Sequence, residues 1–509
     1  MMAWPRWVVG LLLGSWGLRL LIAWLLPPGF DEAYYFLYTQ HWDWSYFDHP
    51  VMVALTTALG PGLTGYVSPL TLRLGALGLY GLSTVLLYGS GRRLFGPAVG
   101  MGAVVIASLC PLFIFSFGLL AAPDNALIFW WSATMYVAVL EFFPTGQSYR
   151  PTAKIALLGL LLGLACLSKY HGFVLGLSLV GFCLTSPQHR RAILSPWTGA
   201  ALGLFALTLT PLVYWNVHHD WLSFGFHLSS RFDGGAGPSG FNLLTMVGVW
   251  LVGVAYLFPS LGFPLWWAIG RSLGQWRDLR QRFVLWLGLP IALGFTLLGG
   301  VAHIYPAWPA PGLWSLSLLL ALMVARWSPS AVRRWLWGSA LAMAILLLCA
   351  LSHVALGTLQ RPGGLVELMP LETDPTTSLI DVVQLRRRLQ EGDGADAIAS
   401  ADFLVTNEFW LSGYVDMAVS PLTPVPVMAF TQDPRGHAVW FNPADWVGRS
   451  GLFITIADYD QTEIRVTYAP YFERFDLLES LETQRAGAVT ETFYLYDTGK
   501  LITPYAYPY

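Results

Sequence analysis

Asp31 and Glu32 stand side by side where the first hydrophobic stretch of the chain stops. Trp7 to Leu26 is apolar apart from Arg19, and Pro27-Pro28-Gly29 ends it just before Phe30-Asp31-Glu32-Ala33-Tyr34-Tyr35. Carboxylates beside a bilayer are costly to desolvate and are seldom placed there without work to do. An aromatic, partly apolar setting suits a carboxylate base acting on a substrate delivered from lipid. Adjacent acids raise one pKa of the pair, so Glu32 is placed to orient Asp31 or share its proton. The plain alternative is that both only end a helix at the headgroups.

Other polar residues gather between later apolar stretches. Asp124 is a lone carboxylate in Ala121-Ala122-Pro123-Asp124-Asn125, with helix capping as its rival role. Lys169, one of only three lysines, sits in Ser168-Lys169-Tyr170-His171-Gly172, where snorkelling to the interface is the alternative. His49 ends the aromatic and acidic run that starts at His41. His218, His219, Asp220, His227 and Arg231 follow Pro211, and His303-Ile304-Tyr305-Pro306 is the last such turn. Cationic and imidazole side chains in such turns can hold an anionic group such as a phosphate; His49, Lys169, Arg231 and His303 are the candidates. The irregular spacing of His218, His219 and His227 suits interfacial polar residues better than metal ligands. No metal requirement follows from the sequence; a divalent ion, if used, would fall to Asp31 and Asp124.

Composition sets the frame for these residues. Of 509 residues, 55% are hydrophobic and 11% charged, which excludes a soluble domain of this size. Windows of about 20 apolar residues give roughly eleven transmembrane helices, with about thirteen as the upper count. They fall near 7–26, 70–91, 98–120, 125–142, 154–168, 171–186, 197–217, 242–269, 283–301, 307–325 and 335–357. Arg92-Arg93, Arg150 with Lys154, Arg190-Arg191, Arg271 to Arg282, and Arg326 to Arg334 occupy alternate connections. That bias places the N-terminus in the cytoplasm and Asp31 outside, in a multi-pass cell membrane protein. The first span reads as a retained anchor, lacking a small-residue cleavage site. Cys110, Cys166, Cys183 and Cys349 all fall in spans and read as small core residues, not a disulfide framework. Trp and Tyr among the acids of the first outer segment, Pro27 to about Pro69, suggest amphipathic helices lying on the membrane surface.

The chain changes character near Gln360. Residues 1–360 hold 18 Lys/Arg and 9 Asp/Glu, whereas 361–509 hold 10 and 21. This gives a transmembrane domain, 1–360, and an acidic extracytoplasmic α/β domain, 361–509. Asp402 to Thr406, Val425 to Phe430, Gly451 to Ala457 and Phe493 to Tyr496 read as strands, and Ser378 to Glu391 as an amphipathic helix. The tail shows no phosphate loop, nucleophile elbow or metal spacing, and the chain no internal repeat.

Phe30-Asp31-Glu32-Ala33-Tyr34-Tyr35 followed by Tyr46-Phe47-Asp48-His49-Pro50 resembles the first outer loop of bacterial glycosyltransferase family 39. That family is related to the dolichyl-phosphate-mannose-dependent mannosyltransferases and the aminoarabinose transferases that modify lipid A. Gly91 to Gly96, Ala122-Pro123-Asp124 and Gly163 to Tyr170 are similar to further blocks in the same order. The resemblance implies a GT-C fold and an inverting glycosyltransferase using a polyprenyl-phosphate-linked sugar outside the membrane. It makes Asp31 the catalytic carboxylate with Glu32 its neighbour, and carries the acid of a later block to Asp124. It puts His49 near the donor phosphate, although Val51 stands where relatives have a second proline. The acceptor it implies is a glycolipid, polysaccharide or protein; nucleic acid has no part. The competing class is a lipid-linked sugar flippase, but carriers tend to show repeats and midplane charges, and here the acids gather at one face.

Overall fold

The computed structural model describes residues 5–146, 148–227, 240–360 and 373–509. It is a multi-pass helical membrane protein with a small C-terminal sheet domain. Among the described residues, five helices are long and apolar enough to cross a bilayer: Arg6–Leu25, Pro69–Phe95, Pro123–Phe142, Leu279–Leu298 and Pro329–Leu356. Three more apolar stretches are bent pairs: Pro97–Leu109 with Pro111–Gly118 at 82°, Pro196–Thr208 with Thr210–His218 at 43°, and Leu243–Tyr256 with Pro259–Leu273 at 118°. Lys154–Ser168, His171–Thr185 and Ala310–Val324 are shorter apolar helices.

All eleven expected stretches are therefore helical, but three of them are not single rods. Each break has a proline at the start of its second helix, which removes a backbone donor, and before Pro111 and Pro259 the preceding residue leaves helical angles. The sharpest is at Phe258, whose φ of 74° lies outside the helical region altogether. The run 242–269, expected as one span, is two helices folded on each other's direction.

By its internal contacts the chain forms two compact units. The first comprises Met1–Leu21, Trp44–Thr56 and Ala76–Leu346. Small residues let its helices approach closely, as expected where lipid leaves only packing and hydrogen bonds to hold helices together. A Cβ on Gly288 would lie 2.4 Å from the Gly312 carbonyl oxygen, and one on Gly312 would lie 2.2 Å from that of Gly288. The Trp131 indole donates to Ser315 Oγ at 2.8 Å, and Trp314 returns the bond to Ser132 Oγ at 3.0 Å. Arg19 is fully buried and, among the described residues, meets aromatic rings: its guanidinium carbon is 4.1 Å from the Tyr80 ring centre and 5.2 Å from that of Trp16. Cys110, Cys166 and Cys183 are buried, but Cys349 is exposed on the flank of its helix, contrary to the expected core role.

The second unit comprises Ile22–Asp43, Thr57–Gly75 and Leu347–Tyr509. Its sheet runs β2-β1-β3-β5-β4, from β1 (Phe403–Thr406), β2 (Val427–Ala429), β3 (Ser450–Ile456), β4 (Asp476–Arg485) and β5 (Ala488–Lys500). β1 is parallel to both β2 and β3, and it is buried throughout, as an apolar central strand should be. β3 meets β5 antiparallel, and β4 and β5 form a hairpin around Ala486-Gly487, both at positive φ. The four expected strands are all present. The expected helix is shorter, Val382–Leu389, because Asp381 caps it by accepting from Val383 and Gln384 N–H.

The first outer segment departs from expectation in part: Met52–Thr64 is a short apolar helix with Leu55, Leu59 and Leu63 exposed along one face, but the rest differs. Residues 41–51 are not helical; the Trp42 and Trp44 spacing of two matches no helical face, and both are exposed. Nor does the acidic helix, Phe30–Gln40, lie on a surface. It is largely buried and packs on the helix Phe409–Val419, so closely that a Cβ on Gly413 would lie 2.3 Å from the Ala33 carbonyl oxygen.

Candidate active site

The acidic helix starts at Gly29, released by Pro27 and Pro28 from the first span. Its third residue, Glu32, accepts the Gly29 N–H at 3.0 Å and so caps the helix from within. Arg73 then grips the same carboxylate: Nε to Oε1 at 2.9 Å and Nη2 to Oε2 at 2.6 Å. The other guanidinium donors go to the carbonyls of Ala23, Leu26 and Pro27 at 3.1, 2.7 and 3.1 Å. Five donors, the full complement of the side chain, are thereby used, and both partners are buried.

Glu32, expected to orient Asp31 or share its proton, instead has both oxygens held by Arg73. It fixes the turn that presents Asp31. Asp31 itself is exposed, one residue earlier on the helix. Arg73 was legible only as an arginine in an apolar run, with nothing in the sequence to name its partner.

Tyr414 closes this end of the helix from the sheet domain, donating its hydroxyl to the Pro28 carbonyl at 2.7 Å. Burial, then the Glu32 carboxylate, push its phenol well above the ordinary range, so it stays a donor.

The first unit holds a second constellation. At the start of helix Pro123–Phe142 the capping work falls to Asn125, whose Oδ1 accepts the Ala122 N–H at 2.9 Å. Its amide also donates to the carbonyls of Ser116 and Phe117 at 3.3 and 3.0 Å. Asp124 is left for Lys169, whose Nζ meets Oδ1 and Oδ2 at 2.9 and 2.8 Å in a buried pair. Lys169 can do this because it is the extended residue between helices Lys154–Ser168 and His171–Thr185, so its side chain leaves the helical stack.

Beside this pair is a cavity of about 100 Å³ lined by His49, Lys169, Tyr170, His171, His227, Phe295 and Trp308. His227 Nε2 lies 2.7 Å from the Asp48 carbonyl, and its ring is 5.9 Å from that of His49. The Tyr170 hydroxyl pairs with Ser223 Oγ at 2.7 Å. One ammonium and three imidazoles around a small, aromatic-walled space suit an anionic group.

Of the four expected phosphate ligands, His49 and Lys169 meet in this cavity. His303 does not line it; it is exposed and stands edge-on to Tyr305 at 4.9 Å. Arg231 lies outside the described residues. His171 and His227 were visible in the sequence but carried no distinguishing spacing. His218 and His219 each bond the carbonyl four residues back on their own helix, Tyr214 and Trp215, both at 2.8 Å. Among the described residues no three His, Cys, Asp or Glu side chains gather as a metal-binding group.

A second cavity, about 430 Å³ and apolar, runs between helices Lys154–Ser168, His171–Thr185 and Pro196–Thr208, and reaches Gly172 and Phe173.

Comparison with solved structures settles the architecture. ArnT from Cupriavidus metallidurans, in the apo state, superposes with a TM-score of 0.63 over 96% of this chain and 98% of its own, at 15% identity. The same protein bound to undecaprenyl phosphate gives 0.59 over 97% and 98%, at 14% identity. This chain has the GT-C fold. Within that GT-C frame, residues 48–215 match the family model described as dolichyl-phosphate-mannose-protein mannosyltransferase, which bears out the resemblance read from the sequence. The match begins at Asp48, so it covers His49, Asp124 and Lys169 but not Asp31 or Glu32. A curated relative, the lipid A galacturonosyltransferase RgtD of Rhizobium johnstonii, is 26% identical over 293 residues, 55% of this GT-C chain. The match spans 56% of that relative, about half its length.

Proposed function

We propose that the protein is an inverting membrane glycosyltransferase that moves a sugar from a polyprenyl-phosphate-linked donor to an acceptor on the extracytoplasmic side. The observation that carries the reading is the exposed Asp31, held at the start of a helix whose neighbouring acid is locked away by Arg73. A base of that kind takes the proton of the acceptor hydroxyl as its oxygen attacks the anomeric carbon. The bond from that carbon to the phosphate oxygen breaks, the electron pair leaves with the polyprenyl phosphate, and the configuration inverts.

The leaving phosphate needs donors where its charge develops. His49, Lys169, His171 and His227 supply them in this reading, with Asp124 holding Lys169 extended. His303 and Arg231 stay as further candidates for the donor phosphate. A monophosphate leaving group served by such donors does not demand a metal, so activity in chelator is the expected result. The arginine-rich alternate connections support a cytoplasmic N-terminus, which puts the active face and residues 361–509 outside the inner membrane. The named relatives favour a lipid A-like glycolipid acceptor and an undecaprenyl carrier.

The test uses purified protein in detergent with undecaprenyl phosphate carrying galacturonic acid or aminoarabinose, and lipid A as acceptor. Release of undecaprenyl phosphate that depends on acceptor is expected, and Asp31→Asn should remove it while leaving the fold intact. Sugar crossing sealed vesicles with no bond cleaved would support the flippase instead.

A further inference from the structure

On the acidic helix, Asp31, Tyr34, Tyr35 and Tyr38 recur at helical spacing and share a face. Residues of the sheet domain roof that face. The Tyr34 ring stands edge-on to Phe409 at 5.1 Å, and its hydroxyl accepts the Gly436 N–H at 3.1 Å. One turn on, Tyr38 is edge-on to Trp440 at 5.8 Å, and His41 stacks on the same indole at 4.6 Å.

Arg435 lies in this roof. Its guanidinium carbon is 3.9 Å from the Phe409 ring centre and 5.7 Å from that of Tyr34. Tyr34 is three residues from Asp31 on the same helical face, so Arg435 covers the turn that begins at Asp31. All five Arg73 donors are directed to Glu32 and to three backbone carbonyls. Arg435 is the next cation along this face.

The backbone at Arg435 is unusual. Its φ of 45° is left-handed, which strains a residue with a Cβ, and a Cβ on the following Gly436 would meet the Trp440 ring at 2.5 Å. The plain reading is a surface pair with Asp433, Nε to Oδ2 at 3.2 Å. That carboxylate is 54% exposed, and such pairs contribute too little to offset left-handed strain. Strain kept beside a reactive carboxylate points to a use for the side chain held there.

We infer that the loop 431–441 of the sheet domain is part of the Asp31 site, and that Arg435 is a positioning residue for the Asp31 carboxylate. The inference rests on the reading of Asp31 as the base. A guanidinium offers a planar, two-donor edge that fixes a carboxylate's orientation and keeps it ionised, ready to take a proton.

The test needs no substrate for its first arm. An Asp31→Cys variant of the full chain, with Cys349 replaced by alanine, is modified by anionic and cationic methanethiosulfonates. With Arg435 present the anionic reagent should gain over the cationic one. Adding Arg435→Gln should lower that ratio about tenfold, as for a unit charge about 6 Å away in water. In the second arm, Arg435→Gln should lower kcat at least about tenfold with donor KM within about threefold, and Arg435→Lys should recover part of it. An unchanged modification ratio overturns the inference whatever the activity shows. A changed ratio with full turnover by Asp31→Asn leaves Arg435 in place and overturns the base assignment instead. If Arg435→Gln melts early, Arg435→Lys, which keeps the charge and loses the fork, carries the kcat arm alone.

Discussion

Arg73 takes both oxygens of Glu32 while Asp31, the adjacent residue, stays exposed. Two neighbouring acids are thus divided into a structural anchor and an exposed carboxylate by one arginine, 41 residues further along the chain. Removing one partner of such a buried pair leaves an uncompensated charge, at a cost of about 3–5 kcal/mol. Arg73→Ala should therefore melt well below the parent protein, and Arg73→Lys should rescue little because an ammonium cannot span two oxygens and three carbonyls. Asp31→Asn should show the reverse pattern, an unchanged melting temperature with turnover down at least about a hundredfold. Thermal melting in detergent and the release assay, run on the same preparations, check both.

The Asp124–Lys169 pair calls for a double-mutant cycle. Either Lys169→Met or Asp124→Leu alone should cost about 3–5 kcal/mol, whereas the two together should recover most of it. Donor binding separates structure from chemistry here. If Lys169 serves the phosphate, the double variant should fold yet bind undecaprenyl phosphate at least about tenfold more weakly.

Asp416 carries a pH dependence of stability in the sheet domain. Burial pushes its carboxyl up to about 7, against about 3.9 in an unfolded chain. The folded state therefore holds a proton that the unfolded state releases between about pH 4 and pH 7. Stability is full below that window and falls as pH rises through it, by at most about 4 kcal/mol. Glu491, also pushed by burial to about 7, adds in the same direction. Urea melts of the full chain at pH 5 and pH 8 should show the loss, and Asp416→Asn should flatten it.

Gly413 is the contact point of the helix Phe409–Val419 on the acidic helix. The facing atom is the Ala33 backbone oxygen at 2.3 Å, which cannot swing aside as a side chain would. Gly413→Ala should destabilise by about 1–3 kcal/mol, as forced overpacking does. It should also lower turnover, because the displaced helix carries Asp31. Gly448→Ala is the matched control: its φ of 87° is strained for alanine, but no atom lies in the way.

The architecture was readable wherever one physical signal dominated. Apolar length gave the helices, and the central strands β1 and β3 and the fully buried edge strand β2 stood out because they are apolar on both faces. β4 did not, since Asp476–Arg485 is a polar edge strand whose alternation is weak. The breaks at Cys110, Leu209 and Phe258 were marked by prolines, but hydropathy averages over a bend and reports one span.

At the site, the residue types were legible and their partners were not. Asp31, Asp124, Lys169 and His49 declared themselves as charge or imidazole in an apolar chain. Which acid Arg73 would choose, or that Asn125 would take over capping and leave Asp124 to Lys169, depends on contacts over 41 and 45 residues. No periodicity encodes those.

The bond from Tyr414 to Pro28 joins positions 386 residues apart. A ribosome needs roughly 20 to 80 seconds to cover that distance. Throughout that interval the newborn acidic segment has Arg73 but lacks its sheet-domain partners. A chain cut short before the sheet domain would lack both the Tyr414 bond and the Gly413 contact that hold the acidic helix.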